Sequence, residues 1–346
     1  MLVLGGSSQH QGGIESFCER TVTALEHHGA GWRATWWPTD TAYLSWNKLS
    51  RLARAWKRMS VIDKHGVDLV WLQWSTLADL IFLLRVVTSG VPVMMTPHLG
   101  ANARLQRSPM MRAICKRLAA RADRLALLFD EQAQEIALPD LPTSTLGTFL
   151  PEETLTTPIG VRQDGPLRLL HAGRLSHEKG TLRMVEICAT LHARGIPFEA
   201  RIVGSAEPDF IATLEARIVD TGLSQSIELG GWMDGPGLRQ ALGHADVLVH
   251  LSELDSFPLI VLEALAAGAL PIVADMAGAA SMVSHYDGLV TPGSSVAAAA
   301  QWLMTTTPEA IRRRGDVAAV RVRVDHAWPE IIAKLVSIAE AVAPLR

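Results

Sequence analysis

What most constrains this chain is an alternation that runs through most of its 346 residues: short Val, Leu and Ile runs followed by segments with helical spacing. Residues 2–6 read as a strand, a glycine-rich turn follows, and a helix begins near Ile14. Further strands are expected at 33–37, 67–74, 91–97 and 124–129, with helical segments between most of them. Strands that alternate with helices form βαβ units, and such units build a parallel sheet covered by helices on both faces.

The alternation weakens across 138–166, rich in Pro, Thr and Gly, then restarts with runs at 167–173, 199–204, 226–231, 246–251, 270–275 and 288–292. A linker near 151–164 would separate two doubly wound, Rossmann-like α/β domains, 1–150 and 151–346. The last helical segment, about 328–343, could pack on either. At 48% hydrophobic and 19% charged the chain is globular rather than disordered. Its start lacks the basic region of a signal peptide, and Arg85, Glu263, Gly268 and Pro271 interrupt the longest apolar runs, so no spanning segment is expected. Cys18, Cys115 and Cys188 lie far apart with no CxxC pair, which argues against a disulfide framework or zinc site and fits a reducing cytoplasm.

Three stretches carry candidate chemistry. In LDSFPLIVLEALAAG (254–268), Asp255 precedes and Glu263 interrupts an apolar run. Ser256 is a suitable N-cap and Gly268 a natural stop, predicting a helix over Phe257–Ala267. Its N-terminus would lie at the sheet's carboxyl edge, with the N–H groups of Phe257, Leu259 and Ile260 aimed at a ligand such as phosphate. On pattern alone, the two acids serve equally as helix charges that reach solvent. In HAGRLSHEKG (171–180), Arg174 and Lys179 flank a loop that enters a helix near Gly180, which suits a diphosphate. In GGSSQHQGGIESF (5–17), Gly12 and Gly13 allow close backbone approach ahead of Glu15, in a pattern that is neither GxGxxG nor a P-loop.

Together these stretches resemble the family 4 retaining glycosyltransferases. LDSFPLIVLEALAAGALPIVA is similar to that family's E-x7-E segment, GRLSHEKG to its GR-x4-KG donor loop, GGIE to its acceptor-side glycine loop and TPH (96–98) to the segment of its active-site His. The resemblance implies a GT-B fold, two Rossmann-like domains facing across a cleft with the nucleotide-sugar on the second. Carried over by position, Arg174 and Lys179 would bind the donor diphosphate, assisted by the N–H groups of Leu259 and Ile260. Glu263 would hold the ribose, while Asp255 and His98 would act at the transferred sugar. The implied donor is UDP- or GDP-linked, with no further cofactor and no obligate metal, because the cations stabilise the leaving diphosphate. This chain departs from the pattern in having Asp as the first acid and Leu251 where Pro is usual, and Glu253 is a second candidate for the first acid.

Residues 1–150 carry 16 Lys and Arg against 12 Asp and Glu, whereas the remainder carries 16 against 23, so the first half is expected to meet something anionic. Within it, 46–60 holds five cations and no acid, with Trp46, Leu49, Leu52, Ala53, Trp56 and Met59 on one helical side; 104–124 adds seven cations against Asp123. Either is an ordinary basic helix taken singly. Together they predict contact with an anionic membrane at the cytoplasmic face and an acceptor that is lipid-linked, with a glycan or small molecule as alternatives. Rival readings are a GT-B sugar-nucleotide epimerase and a non-catalytic nucleotide-sugar-binding protein; net acidity and the site motifs argue against a nucleic-acid partner.

Overall fold

The computed structural model describes residues 1–9, 12–41, 49–62, 65–160, 164–255 and 257–344. The chain divides into two units, Met1–Phe149 with Trp328–Arg346, and Leu150–Ala327. The C-terminal helix, Trp328–Val342, thus counts with the first unit, where Trp328 stacks on His28 at 3.8 Å between ring centroids.

The first unit comprises β1 (Leu2–Leu4), α1 (Gly13–His28), β2 (Thr35–Trp37), α2 (Leu49–Arg58), β3 (Val70–Trp74), α3 (Leu77–Val87), β4 (Val93–Pro97), α4 (Pro109–Ala119), β5 (Arg124–Leu127), α5 (Gln132–Glu135) and β6 (Thr143–Thr145). Its parallel sheet has the order β2-β1-β3-β4-β5-β6. Every residue of β3 and β4 is buried, as parallel central strands covered on both faces must be. The order reverses between β1 and β3, so their carboxyl ends flank a topological switch point. Strand β6 falls inside 138–166, where the sequence shows no strand pattern. As a three-residue edge strand of Thr and Ser with no buried position, it needs no apolar run.

The second unit comprises α6 (Glu152–Thr156), β7 (Leu167–Ala172), α7 (Thr181–Ala193), β8 (Phe198–Val203), α8 (Pro208–Asp220), β9 (Ile227–Gly231), α9 (Gly235–His244), β10 (Val247–His250), α10 (Leu259–Ala267), β11 (Leu270–Ala274), α11 (Ala277–Ser284), β12 (Leu289–Thr291), α12 (Val296–Thr305) and α13 (Pro308–Asp325). Helix α6 occupies part of the span read as linker and packs on α10. The parallel sheet runs β9-β8-β7-β10-β11-β12, the Rossmann order 3-2-1-4-5-6 with its switch point between β7 and β10. Helix α10 is apolar nearly all round because it is enclosed by α9, α13 and β11. Gly268 ends it in the left-handed region, φ 83°. A Cβ at Gly315 would stand 2.0 Å from the Gly268 carbonyl oxygen, so α13 crosses this closely only with glycine there. Arg312 of α13 clamps the base of the unit, donating to both oxygens of the fully buried Asp246 (3.0 and 3.2 Å) and to the carbonyls of Gly165 and Pro166.

Candidate active site

The switch point of the second unit brings two loops together, one leaving β7 and one leaving β10. Gly180, φ 78°, ends the first, and a Cβ there would meet the Leu251 carbonyl oxygen at 2.5 Å. Hydrogen bonds then join the loops: Glu253 N donates to Glu178 O (2.9 Å), and Arg183 donates to Leu251 O (2.9 Å) and pairs with the Glu253 carboxylate. The GR-x4-KG glycine is therefore a packing requirement of this junction.

Across the junction, the Lys179 ammonium bonds directly to Asp255 Oδ1. His250, the last residue of β10, places its Nε2 2.8 Å from Asp255 Oδ2. Burial alone would raise the Asp255 pKa, but the His250 hydrogen bond and the Lys179 charge outweigh it and hold the carboxyl well below the usual carboxylate range. Asp255 is thus an anion fixed at both oxygens. The other candidate acid, Glu253, instead pairs with Arg183, and half of its side chain is exposed.

A buried relay supports the first loop. A carbonyl oxygen only accepts, so His171 Nδ1–H donates to Val249 O (2.9 Å), and its Nε2 accepts from Thr181 Oγ1 (3.0 Å). Thr181 Oγ1 accepts from Ser176 N, and Ser176 Oγ from Lys179 N. Desolvation lowers the His171 pKa to about 4, so the ring is neutral and its tautomer fixed. The relay positions the backbone that carries Lys179.

Arg174 is exposed on the same loop. Helix α10 starts at Leu259 rather than at Phe257, because Pro258 is extended (φ −75°, ψ 114°); Ser256, read as its cap, lies outside the described residues. Leu259 and Ile260 are its first two residues, whose N–H groups have no intrahelical acceptor. Glu263 lies one turn further along, on the wall of a cavity of about 560 Å³ that follows α9 from Pro236 to His244. Arg239, Gln240 and Arg168 share that wall. Lys179 and Asp255 are therefore brought together, whereas Glu263 lines a cavity that shares no residue with their two loops.

In the first unit, Gly12 is the N-cap of α1 and Gly13 its first residue. Glu15 folds back beneath the β1–α1 loop, where its Oε1 accepts from Ser7 N at 2.7 Å. A Cβ at Gly12 would stand 2.8 Å from Glu15 Oε2, whereas one at Gly13 would meet nothing within 4 Å. Glu15 therefore shapes the loop from below. Asp40, at φ 54°, secures it from the other side by accepting from Ser7 Oγ and from Ser8 N and Oγ. His98 follows β4 with Nε2 2.8 Å from Gln73 Oε1 and its ring edge-on to Phe17; desolvation lowers its pKa to about 4.

Sequence reasoning missed His250, His171, Gln73 and Arg183. The two histidines end or lie within apolar strand runs, and a lone polar residue there signals a buried bond without naming its partner.

Two parallel Rossmann-like sheets with the loops of GR-x4-KG and D-x7-E joined at a switch point define the GT-B class of fold. A sequence model of the family described as glycosyl transferases group 1 matches residues 156–308, which carries the resemblance to that family. The chain is 28% identical over 188 residues to the amylovoran biosynthesis glycosyltransferase AmsK of Erwinia amylovora, covering 51% of this chain and 46% of AmsK. It is 27% identical over 289 residues to the MMP alpha-(1->4)-mannosyltransferase of Mycolicibacterium hassiacum, covering 75% and 67%. The chain thus spans less than half the length of AmsK. Among solved structures, the sucrose-phosphate synthase of Thermosynechococcus elongatus superposes with TM-score 0.79 at 17% identity, over 98% of each chain. HepE of Anabaena, in complex with UDP and glucose, superposes with TM-score 0.73 at 16% identity, over 98% of this chain and 99% of its own.

Proposed function

We propose that this chain is a retaining glycosyltransferase that moves a hexose from a nucleotide-diphosphate sugar to an acceptor hydroxyl in glycan or glycolipid assembly. The observation that carries the reading is the meeting of Lys179 with Asp255 at the β7/β10 switch point. A cation there meets the departing diphosphate, and a fixed carboxylate accepts hydrogen bonds from sugar hydroxyls. UDP and UDP-glucose in the HepE structures support a UDP-linked donor.

In this reaction the bond from the anomeric carbon to the diphosphate oxygen breaks, and the acceptor oxygen bonds to that carbon on the same face. The acceptor's proton passes to the departing phosphate. Arg174, Lys179 and the N–H groups of Leu259 and Ile260 offset the charge that develops on the diphosphate, so catalysis needs no divalent cation. Glu263 keeps the ribose role that the resemblance gives it. His98 keeps the role that the resemblance gives it, toward the transferred sugar, and the loop of Gly12, Gly13 and Glu15 serves the acceptor.

The acceptor is lipid-linked in this reading, and the protein works at the cytoplasmic face of an anionic membrane. Helix α2 supports it, with Arg54, Lys57 and Arg58 exposed beside Leu49 and Trp56. Its apolar residues divide: Leu52 and Ala55 face the core and Met59 is buried, rather than lining one free side; Trp46 and Lys48 lie outside the described residues. Met110 and Ile114 of α4 add exposed apolar area in the second basic segment. No helix among the described residues is long and apolar enough to cross a membrane.

The test is the anomeric configuration of the product, read by NMR from a reaction run in excess EDTA. Retention with undiminished turnover is expected. An inverted centre, or turnover that EDTA abolishes, overturns the mechanism.

A further inference from the structure

We propose that His250 is a positioning residue that holds the Asp255 carboxylate in the orientation in which it meets the transferred sugar. The inference rests on the role of Asp255 in the proposed function. Asp255 replaces a longer acid of the family pattern, so its short side chain reaches a sugar only if the carboxylate is held in one pose.

Among the described residues, Lys179 and His250 bond to it. Lys179 is a charge on a flexible four-carbon stem, and in the proposed reaction it turns to the diphosphate. His250 is rigid: its backbone lies in the sheet, paired with Val273 of β11, and its side chain is only 6% exposed. Its Nε2–H donates to Oδ2 at 2.8 Å, leaving the other lone pairs of the carboxylate for hydroxyls. When the ammonium moves, the imidazole keeps its hold.

A comparison within the same unit separates this role from a structural one. His171, equally buried, has both ring nitrogens hydrogen-bonded, as a packing histidine should. The Nδ1 of His250 is buried without a hydrogen-bond partner among the described residues. Burial of that ring is compensated at one nitrogen, the one on Asp255.

Three substitutions test the assignment. His250→Leu removes the donor, and His250→Asn sets an amide near the Nδ1 position, short of Asp255. His250→Gln sets one near Nε2, within reach. Kinetics use whichever of UDP-glucose, UDP-galactose and GDP-mannose the wild type turns over fastest. Leu and Asn should lower kcat about tenfold or more with donor KM and UDP affinity within about twofold of wild type, and Gln should restore most of it. In an Asp255→Asn background, His250→Leu should cost nothing further. In ¹⁵N-histidine-labelled protein, the His250 Nε2 resonance should shift on Asp255→Asn, a readout independent of the donor. Wild-type kcat in His250→Leu, failure of Gln to rescue, or an unmoved resonance overturns the inference. Wild-type turnover in Asp255→Asn instead removes the underlying role of Asp255.

Discussion

Replacing Asp255 by Asn keeps the size of the side chain and removes the charge on which Lys179 and His250 converge. In the proposed reaction, the carboxylate's hydrogen bonds to sugar hydroxyls would be charge-assisted and worth about 1.5–3 kcal/mol. Their loss lowers kcat by roughly 10- to 100-fold. The effect on the nucleotide has the opposite sign. Before a donor binds, Asp255 neutralises Lys179, and both side chains are 21% exposed, so the pair is partly screened and worth about 1 kcal/mol or less. Asn releases the ammonium, and UDP should bind up to about fivefold more tightly. Glu253→Gln breaks the pair with Arg183 outside this cluster and should leave kcat within about twofold. Steady-state kinetics with one donor and UDP calorimetry decide the matter. Tenfold weaker UDP binding in Asp255→Asn, or Glu253→Gln as the slow variant, would exclude this role for Asp255.

Other consequences follow from the two units. His171 binds a proton at about pH 4 when folded and near 6.5 when unfolded, so the unfolded chain holds more protons between those values, and stability is lost as the pH drops from 6.5 toward 4. Chemical denaturation should give about 2 kcal/mol less stability at pH 5 than at 7.5 from this residue, and His171→Gln should flatten that part of the profile. Arg312→Ala leaves Asp246 buried without its cation and should cost about 3–5 kcal/mol in urea unfolding, whereas a change below 1 kcal/mol would mean that the clamp carries no stability. Arg51, Arg54 and Lys57 changed together to Glu should abolish sedimentation with phosphatidylserine vesicles, each cation near such a surface being worth about 1 kcal/mol; a wild type that fails to sediment at low salt removes the membrane argument.

The two sheets were legible because parallel strands buried on both faces leave nearly continuous apolar runs, as at Val70–Trp74, broken by Gln73 alone, and Leu270–Ala274. Polar Thr143–Thr145 left no such trace, and α10 starts two residues later than its sequence suggests because the backbone at Pro258 is extended. The meeting of Lys179 with Asp255, 76 positions apart, was not legible from spacing, since it needs β7 beside β10 in the strand order. His250 was hidden for the same reason: its run reads as a strand, and only the loop geometry turns its ring to the carboxylate. Glu263 sits as its helix predicts, but the cavity it faces depends on how α9 packs against α10.

The loop between β7 and α7 is proposed to bind a nucleoside diphosphate, and calorimetric titration of UDP measures that binding without any acceptor. Wild-type protein should bind UDP, while Lys179→Ala and Arg174→Ala should each weaken it by about tenfold or more, a charge-assisted contact being worth about 1.5–3 kcal/mol, with nucleotide-free stability unchanged in Arg174→Ala and lowered by no more than about 1 kcal/mol in Lys179→Ala. UDP affinity that is the same in wild type and both variants would mean that this loop is not the diphosphate site.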